Sequence, residues 1–190
     1  MPASKLLLPP LFACVFAASA AAGPLVEAAK KAEELAAAGN TVGAHDAIRD
    51  AFGAFAATLP FTIGKVAFVS APPEGYGMYA ARPDAKFRPG EPLISYVEPV
   101  GLTWRDTNGT LESQFTVDLE LLDTKGTVLA EQKAFGSFAF KGSVRNQEVF
   151  AKLTLNLTSP PAGDYVLRYR FRDAASGAVA MSEQPFSIVP

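Results

Sequence analysis

Residues 163 to 173 read Gly163-Asp164-Tyr165-Val166-Leu167-Arg168-Tyr169-Arg170-Phe171-Arg172-Asp173. Tyr165, Leu167, Tyr169 and Phe171 alternate with Val166, Arg168, Arg170 and Arg172. Successive side chains of a β-strand point to opposite faces, so this alternation predicts a strand with one apolar and one wet face. The same period recurs upstream, where Phe115, Val117, Leu119 and Leu121 alternate with Thr116, Asp118 and Glu120. Leu153, Leu155 and Leu157 likewise alternate with Lys152, Thr154 and Asn156. Less regular strands are expected at 62 to 70, 76 to 81, 92 to 99, 127 to 134 and 179 to 189. Turn signals separate them: Arg88-Pro89-Gly90, Asp123-Thr124-Lys125-Gly126, Pro160-Pro161-Ala162-Gly163 and Ala175-Ser176-Gly177. Seven or eight short strands with one wet face each describe an antiparallel β-sandwich, since the strands of a parallel sheet are covered on both faces and separated by helices.

Ahead of this region the period changes to that of a helix. From Pro24 to Ala38 the chain is rich in Ala, Glu and Lys, with Leu25, Ala28, Ala32 and Leu35 at helical spacing, and Gly39-Asn40 supplies the stop. A second helix begins near Asn40-Thr41, carries Ile48, Phe52, Phe55 and Leu59 on one face, and is closed by Pro60. Gly39, Ala44, Ile48 and Ala51 resemble one unit of a tetratricopeptide array, but no second copy follows, and such arrays need about three to bury a core. A single hairpin packed on the sandwich is therefore expected.

The first residues carry Lys5, the apolar run Leu6 to Phe16 and the small-residue tract Ala17 to Ala22, which is the order of a secretory signal cleaved after Ala20 or Ala22. That gives an expected organisation of 1–22 signal peptide, 23–60 helical hairpin and 61–190 Ig-like β-sandwich, with a periplasmic or secreted location. Pro9 and Pro10 interrupt the run, which is shorter than the ~20 residues of a permanent membrane span. Cys14 is the only cysteine, so the processed chain would have neither disulfide nor thiol chemistry. The alternative is a lipoprotein anchored at Cys14; Phe12 is too bulky for such a processing box, and the stretch after Cys14 stays apolar. Of the 190 residues 49% are hydrophobic, enough for a sizeable core, and a net charge of −2 creates no field that recruits nucleic acid or an anionic membrane.

Pro161-Ala162-Gly163-Asp164-Tyr165 looks like the tyrosine corner of Ig-like domains, in which a Tyr opening the penultimate strand bonds back across the preceding turn. Together with Arg172-Asp173, Ser176-Gly177 and Phe186, it resembles the final strand hairpin of many uncharacterised exported bacterial proteins with C-terminal Ig-like domains. Arg88-Pro89-Gly90-Glu91-Pro92-Leu93 resembles their first core strand. The resemblance implies a mainly β fold, an Ig-like antiparallel β-sandwich preceded by a short α-helical hairpin, and it brings no catalytic residue with it.

Signatures of catalysis are sparse. His45 is the only histidine, and no Gly-x-Ser-x-Gly elbow accompanies it. With one His and no cysteine after processing, a metal site would be all carboxylate, yet no Asp-x-Asp-x-Asp-Gly loop exists. Asp118 and Glu120 share a wet strand face, a common arrangement without glycosidase chemistry. Glu74-Gly75-Tyr76-Gly77-Met78 lacks the following helix that a phosphate loop needs. Asn108-Gly109-Thr110 and Asn156-Leu157-Thr158 match the glycosylation pattern, which carries little weight for a bacterial host.

Two surface features remain. Arg168, Arg170 and Arg172 form a basic stripe that, in an Ig-like topology, faces Asp118 and Glu120 on the neighbouring strand, so cross-strand pairing is expected in preference to an anionic ligand. Trp104 and Arg105 in a loop 101 to 109, together with Phe138, Arg145 and Asn146 in a long connection 135 to 147, are expected at one end of the sandwich with the 173 to 177 turn. They are the candidate partner-binding residues, with Trp104 alternatively folding inward as a lid on the core. The expected function is a non-catalytic binding or adaptor module for an envelope protein or glycan, without cofactor. A structural role docking through the hairpin and an envelope hydrolase using His45 are the alternatives.

Overall fold

The computed structural model describes residues 23–158 and 160–190, so the expected secretory signal and Cys14 lie outside the described residues. Two helices, α1 (Pro24–Ala37) and α2 (Thr41–Ala56), lead into nine strands: β1 (Thr62–Phe68), β2 (Lys86–Phe87), β3 (Leu93–Val100), β4 (Arg105–Thr107), β5 (Thr110–Asp123), β6 (Val128–Gly142), β7 (Ala151–Leu155), β8 (Gly163–Asp173) and β9 (Val179–Ile188). The fold is mainly β, an Ig-like sandwich behind a helical pair.

Pro24 opens α1, where its missing N–H leaves no helical bond unmade. Gly39, at φ 77°, reverses the chain. Asn40 then caps α2, its Oδ1 accepting from the Gly43 amide at 2.9 Å. The helices pack mainly on each other. Their seat on the sandwich is narrow: Gly53 lies against Arg145, so that a Cβ on Gly53 would sit 3.3 Å from the Arg145 Cβ. Beyond α2, Phe61 enters the sandwich core.

The smaller sheet runs β1-β3-β7, and the larger runs β2-β9-β8-β5-β4 with β6 on the other edge of β5. All pairings are antiparallel except the short β2–β9 contact. The core fills the space between the sheets. Leu93, Val97 and Leu153 come from one side, and Phe115, Val117, Leu119, Leu167, Tyr169 and Phe171 from the other. A buried polar bridge crosses that core: Ser95 Oγ donates to Gln184 Oε1 at 2.7 Å and lies 3.1 Å from Tyr169 Oη. A serine hydroxyl has one proton, so Tyr169 must be the donor in the second bond. Burial pushes the Tyr169 phenol up to about 12, which keeps that proton in place. The tyrosine corner forms as expected, with Tyr165 Oη donating to the Pro161 carbonyl at 2.9 Å.

Four expectations need correction. No strand forms at 76 to 81; Gly75, Gly77 and two prolines break the ladder to isolated bridges at Val69–Ala81 and Gly75–Met78. The segment instead folds over the outer face of the smaller sheet, where Tyr79 stacks on Tyr96 at 4.2 Å. Second, the connection expected from 135 to 147 is largely strand, because β6 continues to Gly142 and its alternating Phe138 and Phe140 stack on Phe115 at 5.1 and 6.1 Å. Third, the 101 to 109 loop contains β4, which pairs with the start of β5 across an Asn108-Gly109 turn with both residues at positive φ.

The fourth concerns the arginine stripe. Strand pairing is as expected, with Glu120 opposite Arg168 and Asp118 opposite Arg170. Arg168 bonds both Glu120 at 3.1 Å and Glu183 at 2.7 Å. Asp118, however, is turned away from Arg170 to the other edge of β5. There β6 bulges, setting Lys133, Ala134 and Phe135 against Asp118 alone, and the Asp118 carboxylate accepts from the Ala134 amide at 2.9 Å. A bulge and a lysine on an exposed edge strand hinder further strand pairing.

Ala134 adopts a φ of 51°, where an L side chain is strained by about 1–2 kcal/mol. Glycine relieves that strain but adds freedom to the unfolded chain. Ala134→Gly is thus expected to stabilise the protein by about 0.5–1 kcal/mol, seen as a higher urea midpoint at unchanged slope. A lower midpoint would mean that the bulge places no strain on this residue.

Candidate functional site

The candidate surface is a cleft of about 840 Å³ between the helical pair and the Val144 to Glu148 segment. Ala29, Ala32 and Ala36 from α1 and Ala44, Ile48 and Phe52 from α2 form an apolar lining. It exists because the helices are joined by a short turn and touch the sandwich through little more than Gly53. Ile48 and Phe52, which the helical period assigns to a packed face, consequently stay 47% and 51% exposed.

The rim is polar and of mixed sign. Arg49 pairs with Asp46 at 2.8 Å and Asp50 at 3.3 Å, while its buried Nε has no partner. Arg145 is exposed, and its carbonyl accepts from Gln147 Nε2 at 3.1 Å. Asn146 Oδ1 accepts from the Glu148 amide at 3.0 Å, so this side chain shapes the segment more than it offers itself to a ligand. His45 lies on the rim, 3.3 Å from Asp46 and 72% exposed at its side chain. Among the described residues no group of three or more His, Cys, Asp or Glu is placed to hold a metal ion, and no helix is long and apolar enough to cross a membrane.

The five candidate residues divide into three environments. Arg145 and Asn146 belong to the cleft. Trp104 is half-buried and packs against the core. Arg105, beside it, donates to the Ala175 carbonyl at 2.5 Å and lines a separate, shallower cleft with Glu112, Phe140 and Lys141. Phe138 packs on Phe115 from β6 and lines neither cleft.

Nothing in the sequence pattern marks Asp173 beyond its place before a Ser-Gly turn, yet it is wholly buried and organises this end of the sandwich. Its carboxylate accepts from the amides of Thr103 at 2.7 Å, Ala175 at 2.8 Å and Ser176 at 2.9 Å. It thereby ties the loop residue preceding Trp104 to the β8–β9 turn. Tyr96 is also buried, receiving the Gly77 amide and donating to Glu98, both at 2.7 Å. Burial raises its phenol to about 12, so it stays a neutral donor and not a base.

No protein-family model matches the chain, and no curated protein matches it in sequence. Solved structures do match in outline. A PKD domain of an M14-like peptidase from Thermoplasmatales archaeon SCGC AB-540-F20 is 14% identical, covers 70% of this chain and 98% of its own, and superposes with a TM-score of 0.38. The superoxide reductase (neelaredoxin) of Ignicoccus hospitalis is 14% identical over 67% of this chain and 82% of its own, at 0.36. Spo0M, a sporulation control protein of Bacillus subtilis, is 7% identical over 70% and 50%, at 0.34. The likeness is one of architecture alone. It transfers no site, metal or reaction to this chain.

Proposed function

We propose that this protein is an exported, non-catalytic binding module whose working surface is the cleft between the helical pair and the Val144 to Glu148 segment. The observation that carries this reading is the unfilled apolar lining, with Ile48 and Phe52 about half exposed beside a rim of both charge signs. Its occupant is an amphipathic helix of an envelope protein. Such a helix would lie in the groove between α1 and α2 and present apolar residues at helical spacing to the alanines. Covering the exposed halves of Ile48 and Phe52 contributes about 1 kcal/mol each. A glycan fits less well, since the lining is aliphatic and alanine-rich, with few groups that bond hydroxyls. The signal-like order of residues 1 to 22 supports a location outside the cytoplasm.

The test is photo-crosslinking in the intact envelope from a benzophenone side chain at position 52. A crosslink to a helical segment of one envelope protein is expected, lost when Ala44→Glu puts a carboxylate into the lining and kept in Arg105→Ala. Purified, the Ala44→Glu chain should bind that partner at least tenfold more weakly. Crosslinking unchanged by Ala44→Glu, or abolished by Arg105→Ala, would overturn the assignment.

A further inference from the structure

The helical pair has a second groove on its opposite side, away from the 144 to 148 segment, and the cleft described above leaves it unused. It encloses about 810 Å³ and is lined by Leu25 and Ala28 of α1 and by Ala47, Ala51, Ala54 and Phe55 of α2. Leu25 and Phe55 are 40% and 41% exposed. Four alanines between two large residues form a shallow trough into which another helix can settle closely.

We propose that this groove receives the same groove of a second copy of the chain, making a two-fold symmetric four-helix contact. The charges on its rim point to this occupant. They are one lysine, Lys31 on α1, and one aspartate, Asp50 on α2. A partner of one strong charge gains nothing from such a rim, whereas a second copy meets it with the complementary pair. The helices are antiparallel about a turn centred near Gly39, so Lys31 and Asp50 stand within about one helical turn of the same level. With the symmetry axis along the helices, α1 of one copy covers α2 of the other, and Lys31 of each copy faces Asp50 of its mate. That arrangement is isologous, as a closed dimer requires.

The area sets the strength. The α2 lining from Ala47 to Phe55, nine residues at ~1.5 Å each, gives a groove roughly 14 Å long, and two helices side by side make it about 20 Å wide. Doubled over the two copies, the contact covers on the order of 600 Å², below the ~1,000 Å² floor for a stable specific interface, so a weak, transient dimer is expected. Each dimer keeps both of its outer clefts open, so it presents two sites to a partner array.

Sedimentation equilibrium of the chain purified from exporting cells tests this between about 5 and 500 µM. The expected result is a monomer–dimer equilibrium that Ala51→Glu converts to monomer throughout. Far-UV circular dichroism would show that the helices remain. Charge exchange supplies a readout independent of folding. Lys31→Asp alone and Asp50→Lys alone should each weaken dimerisation several-fold, and the two together should restore it. A monomer at every concentration overturns the proposal. So does a dimer indifferent to Ala51→Glu, a dimer lost with Phe52→Glu in its place, or a double variant no better than the single ones.

Discussion

Replacing Phe115 by Ala should lower the stability of this protein by about 3–5 kcal/mol, measured by urea unfolding. The residue is fully buried in the middle of β5, with its ring 5.1 Å from Phe138, 6.1 Å from Phe140 and 6.1 Å from Phe171. Truncation to Ala removes the transfer free energy of the ring and leaves a void that strand backbones on both sides cannot close. Domains of this kind are stable by about 5–15 kcal/mol, so the loss is a large fraction of the whole. Phe138, half-buried at the sheet edge, should cost clearly less when truncated, and its loss should leave partner binding intact. A Phe115→Ala effect below that of Phe138→Ala would mean that the aromatic group is anchored from the edge and not from the centre.

The second large effect is expected at Asp173, where Ala should cost about 2–4 kcal/mol. Its carboxylate serves three amide donors at once, and truncation leaves the Thr103 N–H without its acceptor while the Ala175 and Ser176 amides must turn to water. Asn keeps an acceptor on one side and should recover part of the loss. The chain has a single tryptophan, next to Thr103, so its fluorescence reports on this corner directly. A red shift of native emission in Asp173→Ala, with little change at the helices, would show that the Trp104 lid has come loose. Unaltered emission and stability would mean that the three amides find other acceptors and that Asp173 does not organise the loops.

The larger sheet was legible in the sequence because its central strands obey one rule. Residues 114 to 121 and 167 to 172 alternate without interruption, so their faces follow from side-chain period, while their pairing and the tyrosine corner were expected from the resemblance to Ig-like domains. The sequence is less informative wherever a side chain bonds backbone at a distance. Asp118 is paired to Arg170 by register, but the bulge at Ala134 takes its carboxylate, and no local pattern announces a bulge in the neighbouring strand. Asp173 shows the same limit, since its importance lies in Thr103, 70 residues away. The candidate site was legible only in part. Arg145 and Asn146 line the cleft, but what gives their segment a cleft is the thin seat of α2, which depends on Gly53 meeting Arg145. Phe138 was misplaced because a sheet edge and a loop tip can carry the same aromatic-rich composition.

The parallel contact of β2 with β9 bears on how the molecule would respond to being pulled. Ser187 donates to the Ala85 carbonyl at 2.9 Å and Val189 to that of Phe87 at 2.8 Å. Because the two strands are parallel, tension applied to the chain ahead of β2 and beyond β9 runs along them in opposite senses. The two bonds would then be sheared together, each sharing the load, and could not be peeled apart one by one. A chain loaded at those two points would thus give way late and abruptly at this contact.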